Sequence, residues 1–333
     1  MIKKLGVGSY GCVVIPNIAC KNDEISETKV SKIFFSEQDG VKEKEIFEFV
    51  NTHIDPNNKF TIKMYNSCKA CVPSQICNGL NHSKRYYIIT MDYGGKSLSS
   101  FMSSKRSQFK FEDLMFHAIP LFDGLDNLIN KKTVHSDIKY DNLLYDDKQK
   151  KINLIDFGSA LYYKSFKNKF FTQKGIETLK DVWFFQGSLQ LPLWFPPEIA
   201  YKIAQNDNLD INALLNMFNN QYKIAYSGFS LFDFIVQERK QRHSYIMQVF
   251  NNFKIHNSLE QVFQKYDIFS LGIELIQLYH QALTNNNVRN IGWTKKNLLP
   301  ILRGCCDFNI NARLTPQQAK MYLLNVFQKH KNS

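Results

Sequence analysis

Apolar residues change their spacing once along this chain, and that change limits the fold more than any other feature. Leu5 to Ile15 and Lys29 to Phe35 alternate apolar with polar positions around glycines, the period of a half-exposed antiparallel sheet. A helix is predicted next, with Ser36 as N-cap, Asp39 three residues on in a capping-box arrangement, and Ile46, Phe47 and Val50 on one face. It should end near Asp55 and Pro56. Tyr86 to Met91 reads as a short apolar strand running into the glycine pair Gly94 and Gly95. From about Phe111 the spacing becomes helical, notably over Leu114 to Ile129 and Ile268 to Leu283. A β-rich front and an α-rich remainder predict an α+β protein of two lobes, a small β-rich one and a larger helical one, with a cleft between them. Residues 166–191 and 200–260 show weak or no periodicity and are read as insertions.

The chain has 333 residues, of which 44% are hydrophobic, enough for a substantial core in one large domain or two small ones. No apolar run approaches bilayer length and the N-terminus lacks a signal-like apolar stretch, so no membrane insertion and a cytoplasmic location are expected. Seven cysteines, two of them adjacent (Cys305 and Cys306), form no even framework, so thiols rather than disulfides are expected. Cys68, Cys71, Cys77 and His82 are zinc-type ligands. Their spacing is short for four ligands, so free thiols are expected there and zinc is not. The net charge of +12 attracts acidic partners, acidic protein segments among them. The lysines are scattered among Asn, Ile and Phe rather than clustered, which reads as a solvated basic surface with no requirement for nucleic acid.

Three groups of residues carry chemistry. GVGSYGCV places Gly6, Gly8 and Gly11 directly after a strand-like start, where backbone N–H groups can approach phosphate oxygens without a Cβ in the way. The segment after it, CVVIPN, reads as a strand, whereas a dinucleotide-binding turn requires a helix. Lys32 lies on the next strand with Val30 on the same face; it can reach the α- and β-phosphates of a nucleotide, with Glu43 on the following helix holding it. Glu43 is preferred to Glu45 because Ile46, Phe47 and Val50 follow it at +3, +4 and +7. VHSDIKYDNLL, followed by INLIDFG, supplies the groups that phosphoryl transfer needs. Asp137 suits the carboxylate that takes the proton of an attacking hydroxyl, and Asn142 and Asp156 suit oxygen ligands for Mg2+ or Mn2+. Lys139 can neutralise charge on the transferred group.

These blocks, in this order, resemble eukaryotic-type serine/threonine protein kinases over about residues 1–325. The resemblance implies an ATP- and magnesium-dependent enzyme acting on protein substrates. It assigns residues 1–91 to an N-lobe, 92–95 to a hinge, 96–325 to a C-lobe and 326–333 to a tail. Gly6, Val7, Gly8, Ser9, Tyr10, Gly11 and Val13 fall in the glycine-rich loop and its strand, Val30 and Leu144 against the adenine, Met91 at the gatekeeper position, and Asp92 to Gly94 in the hinge. His135, Asp137, Lys139 and Asn142 match the catalytic loop, and Asp156, Phe157 and Gly158 the metal-binding turn. Pro197 and Glu198 resemble the end of the activation segment, Asp267 and Gly272 the start of the central C-lobe helix, and Arg313 the partner of Glu198.

The chain departs from the pattern in places. Ser136 stands where the family usually has arginine, which implies activity without activation-loop phosphorylation. Val30 replaces the usual alanine and narrows the adenine pocket. Asp156 and Glu198 are 42 positions apart in a segment that aligns poorly, leaving Ser188 a candidate for the substrate-hydroxyl contact. Glu198 and Asp267 are 69 positions apart, a long insertion. The compact start, the insertions and the Lys/Asn/Ile/Phe-rich composition are similar to kinases of large nucleocytoplasmic DNA viruses, for which host cytoplasm or virion would be the location. A pseudokinase scaffold and a small-molecule kinase stand as alternatives.

Overall fold

The structure is a computed structural model that describes residues 2–8, 10–20, 24–72, 76–77, 80–81, 83–103, 110–185, 188–189, 192, 195–206 and 259–331. The chain forms two compact units: Met1–Lys96 with Asn142–Ser159, and Ser97–Asp141 with Ala160–Ser333.

In the first unit, β1 (Lys3–Val7), β2 (Gly11–Ile15), β3 (Lys29–Phe34), β4 (Met64–Cys71) and β5 (Arg85–Asp92) form an antiparallel sheet in the order β1-β2-β3-β5-β4. Its register places Val13 opposite Lys32 and Val30 opposite Met91. Helix α1 (Glu37–Phe49) follows β3. Ser36 takes the N-cap position with extended backbone, but its side chain makes no capping bond. A π-turn over Val50–Ile54 ends the helical segment, and the buried Asp55 carboxylate then accepts the N–H groups of Lys59, Phe60 and Thr61 and the Thr61 hydroxyl. Four acceptor contacts on one buried carboxylate fix the chain just past the helix end that Asp55 and Pro56 signalled.

Two cysteine pairs correct the expectation of free thiols. Cys12 is joined to Cys77 and Cys20 to Cys68. The sheet brings positions 65 and 48 residues apart into one buried apolar cluster, a proximity that linear spacing does not reveal. Cys71 remains an exposed thiol, and His82 lies outside the described residues. Among the described residues no group of three or more His, Cys, Asp or Glu is placed to hold a metal ion.

The hairpin β8 (Leu143–Asp146) and β9 (Lys151–Leu154) also belongs to the first unit. It is tied there by the Leu154 N–H to the Phe60 carbonyl (2.7 Å) and the Asn153 amide to the Gly94 carbonyl (2.9 Å).

After β6 (Lys96–Ser97) the second unit is mainly helical: α2 (Leu98–Ser103), α3 (Phe111–His117), α4 (Ile119–Asn130), α5 (Tyr163–Phe171), α6 (Gln173–Trp183), α7 (Pro197–Asn206), α8 (Leu259–Thr284), α9 (Ile291–Asn297), α10 (Leu299–Cys305) and α11 (Pro316–Lys331). The period read over Leu114 to Ile129 is broken into α3 and α4, with Pro120 in the first turn of α4. Short strands β7 (Thr133–Val134) and β10 (Leu161–Tyr162) pair, as do β11 (Phe184–Phe185) and β12 (Ser188–Leu189). The stretch 166–191, where little periodicity is readable, contains most of α5 and all of α6, separated by the extended Thr172, and α11 carries helix through Lys331 into the stretch read as a tail. Most of the 200–260 insertion lies outside the described residues.

Helix α8 is buried on nearly every face, as expected for the central helix of a unit. Two acidic residues, Asp267 and Glu274, lie inside it at 6% and 0% exposure. Buried carboxylates need partners, and both find them in the segment after β7. Among the described residues no helix is long and apolar enough to cross a membrane.

Candidate active site

In the first unit Lys32, Glu43 and Asp156 come together. Lys32 projects from β3, and its Nζ lies 2.7 Å from both Glu43 oxygens and 3.1 Å from Asp156 Oδ1. Glu43 is buried while Glu45 is exposed, because Phe47 and Val50 turn the same helical face inward. Phe157 is fully buried and packs edge-on against Phe47 at 5.9 Å, which seats the turn beneath α1. Asp156 has a left-handed backbone (φ 64°), a conformation that a non-glycine residue keeps only where surrounding contacts impose it. Gly158 permits the approach: a Cβ there would sit 3.2 Å from Glu43 Oε2 and 3.4 Å from Asp156 Oδ1.

The electrostatics follow from burial and pairing. Burial acts to lower the Lys32 pKa, but the Glu43 and then the Asp156 carboxylates outweigh it, so the lysine is held charged. Burial pushes the Glu43 carboxyl up to about 7 against the pull of Lys32.

Among the described residues, nothing lies within 4 Å of where a Cβ would stand on Gly6 or Gly8. The Gly8 N–H donates to the Gly11 carbonyl at 2.9 Å, closing the turn. Ser9 lies outside the described residues, and Val7 and Tyr10 are exposed. Val30 and Met91 are buried neighbours on β3 and β5, and the Leu144 side chain approaches Gly94. The Asp92 and Tyr93 N–H groups already donate to the Lys63 and Thr28 carbonyls. A separate hollow of about 560 Å³, lined by Phe35, Glu37, Lys69, Lys84, Arg85 and Tyr87 among others, contains none of these residues.

Asn142 and Asp156 both belong to this unit, linked by the Ile155 N–H to the Asn142 carbonyl at 3.0 Å. An amide and a carboxylate oxygen fit magnesium, which takes one or two protein oxygens and completes its shell with phosphates and water. This donor set does not suit a metal caged wholly by protein.

In the second unit the loop after β7 is fixed from α8. Asp267 accepts the His135 N–H (2.7 Å) and the Ser136 N–H (3.0 Å), and Ser136 adopts φ 63°. The Asp137 N–H reaches His135 Nδ1 at 3.3 Å, and Lys139 Nζ lies 2.9 Å from Asp137 Oδ2. Sequence reasoning missed Glu274, whose Oε2 accepts the Tyr140 N–H at 2.8 Å. Its signal was a single carboxylate within the apolar run from Ile268 to Leu283. Glu198, in α7, meets Arg313 at 2.7 Å with both side chains buried, and the Arg313 guanidinium also lies over the Phe269 ring and donates to the Asp307 and Lys265 carbonyls. The backbone of Ser188 lies in β12.

Comparison with known proteins places the chain in a family. A family model for the protein kinase domain matches residues 1–323. The chain is 27% identical over 216 residues to serine/threonine-protein kinase pakH of Dictyostelium discoideum, covering 64% of this chain and 35% of that protein. It is 27% identical over 134 residues to serine/threonine-protein kinase 1 of African swine fever virus (isolate Pig/Kenya/KEN-50/1950), covering 39% of this chain and 42% of that protein. Probable serine/threonine-protein kinase samkA of Dictyostelium discoideum is 25% identical over 198 residues. The matches span less than half the length of these relatives. With a β-sheet first unit, a helical second unit and a family match over nearly its whole length, the chain belongs to the protein kinase domain family.

Proposed function

We propose that this protein is a serine/threonine protein kinase of the bilobal type that uses ATP and magnesium, its N-lobe, hinge and C-lobe divided at 1–91, 92–95 and 96–325. The observation that carries the reading is the buried lysine of β3, held by a helix carboxylate and in contact with the Asp156 carboxylate. A lysine so held is a fixed positive charge for the α- and β-phosphates. Gly6, Gly8 and Gly11 let backbone N–H groups close on the phosphates, and Val13, Val30, Met91, Asp92, Gly94 and Leu144 receive the adenine.

Asp137 orients the acceptor hydroxyl and takes its proton as the oxygen bonds to the γ-phosphorus. The bond from that phosphorus to the β–γ bridging oxygen breaks, and ADP leaves. Lys139 offsets charge on the phosphoryl group in transit. Asn142 and Asp156 hold the magnesium, which when bound neutralises phosphate charge. The acceptors proposed are serine and threonine hydroxyls of proteins, with acidic segments favoured by the net charge of +12. The proposed placement is among the kinases of large nucleocytoplasmic DNA viruses, acting in host cytoplasm or virion.

The test is transfer of labelled phosphate from ATP to casein or myelin basic protein. Wild-type protein should transfer, Asp137→Asn should bind ATP without transferring, and Asp156→Ala should lose transfer. Wild-type protein that binds ATP and transfers nothing would identify a pseudokinase scaffold.

A further inference from the structure

A carboxylate in the apolar interior of a helix is costly unless something requires it. Glu274 is fully buried on α8, and its Oε2 accepts the Tyr140 N–H at 2.8 Å. Tyr140 follows Lys139 directly, and Lys139 Nζ is bonded to Asp137. Tyr140 also opens the single 3₁₀ turn of Tyr140–Asn142, so its N–H precedes the first bond that such a turn can make for itself. Without an external acceptor, this donor would be left unsatisfied in a part-buried loop.

We propose that Glu274 is a positioning residue for phosphoryl transfer, holding the backbone at Tyr140 so that Lys139 and Asp137 keep their mutual geometry. This inference rests on the kinase reading, in which Asp137 takes the proton. The structure gives the loop three backbone anchors on α8, at His135, Ser136 and Tyr140, and they bracket Asp137 on both sides. Asp267 supplies the first two and Glu274 the third. Without the Glu274 anchor, the backbone between Ser136 and Asn142, whose carbonyl accepts the Ile155 N–H, could shift at Tyr140 and carry Lys139 and Asp137 with it.

Charge is not what makes Glu274 suitable. Burial, with Asp141 and Asp137 adding to it against the Tyr140 N–H and Lys139, pushes its carboxyl up to about 8, so a neutral acceptor should serve at neutral pH. Glu274→Gln keeps an acceptor oxygen at the same reach, while Glu274→Leu removes it at similar volume.

The experiment is steady-state kinetics on the full chain with casein as acceptor, comparing wild type, Glu274→Gln, Glu274→Leu and Asp137→Asn, with thermal melting to confirm folding. Positioning predicts that Glu274→Leu lowers kcat tenfold or more with the KM for ATP changed less than twofold, and that Glu274→Gln stays within threefold of wild type. A second series repeats Glu274→Leu in a Tyr140→Pro background, where no N–H needs an acceptor, so the leucine should cost less than threefold. The proposal is overturned if Glu274→Leu turns over at the wild-type rate, if leucine and glutamine lose activity equally, or if the leucine penalty is the same in the proline background. An active wild type with an inactive Asp137→Asn and an unimpaired Glu274→Leu overturns the positioning role alone. A wild type that transfers no phosphate overturns the kinase reading as well.

Discussion

Replacing Glu43 with glutamine removes one charge from the cluster around Lys32 while keeping the size of the side chain. Lys32 then stays nearly buried, its side chain 13% exposed, with Asp156 at 3.1 Å as its remaining charged partner. Removing one partner of a buried ion pair costs about 3–5 kcal/mol. Asp156 and the glutamine carbonyl recover part of that, leaving a stability loss of about 2–3 kcal/mol, and the less firmly held lysine should lower kcat/KM for ATP by roughly tenfold or more.

The pH dependence gives a second reading of the same pair. The Glu43 carboxyl is raised to about 7 in the folded protein from an ordinary 4.5. Between those values the folded state holds a proton that the unfolded chain releases. The associated stability is therefore present below about 4.5 and lost as pH rises through about 7. Activity should run the other way, because only ionised Glu43 pairs with the charged lysine. The assay is kcat/KM for ATP between about pH 5.5 and 9, which reports groups of the free enzyme. Wild type should show an acid limb near 7 that the glutamine variant lacks. An unchanged limb, or a loss under threefold at the alkaline end, would refute the role given to this pair.

Three other outcomes are expected. Glu198→Ala should destabilise the protein by about 3–5 kcal/mol in urea melts, because it strands the buried Arg313 guanidinium; the double variant with Arg313→Met should be less destabilised than Glu198→Ala alone. Alkylation of unfolded, unreduced protein should label three thiols, Cys71, Cys305 and Cys306, and reduction first should raise the count to seven; seven labels without reduction would show that the cysteine pairs do not form. Phosphatase-treated protein should keep its activity, since Ser136 offers no charge for reading a phosphate; complete loss would sink that expectation.

How much of this was legible in the sequence depended on whether a partner lay within one periodic element. The sheet was readable because Leu5 to Ile15 and Lys29 to Phe35 alternate in sequence and Tyr86 to Met91 is a short apolar run ending at a glycine pair, and Glu43 could be chosen over Glu45 because Phe47 and Val50 stand on its helical face. The break between α3 and α4 was less readable, since Pro120 suits the first turn of a new helix while leaving the apolar spacing intact. The cysteine pairs were not readable at all. Cys12 and Cys77 meet only through the register of a sheet and a loop after β4, and no local pattern fixes that pairing.

Asp267 and Glu274 show the same limit on a single helix. Asp267 stood out because it lies in a recognisable motif, whereas Glu274 looked like an ordinary polar interruption of an apolar run. They are seven residues apart, two turns of helix, and so share one face. Two carboxylates on one face of a helix buried all round cannot both be idle, because each would cost several kcal/mol without a partner. Both accept N–H groups from the loop between β7 and β8. The backbone around Asp137 is therefore held by core residues far along the chain together with the loop's own His135. The Ser136 contact with Asp267 is a backbone bond, so it holds the loop whatever non-proline side chain stands at position 136.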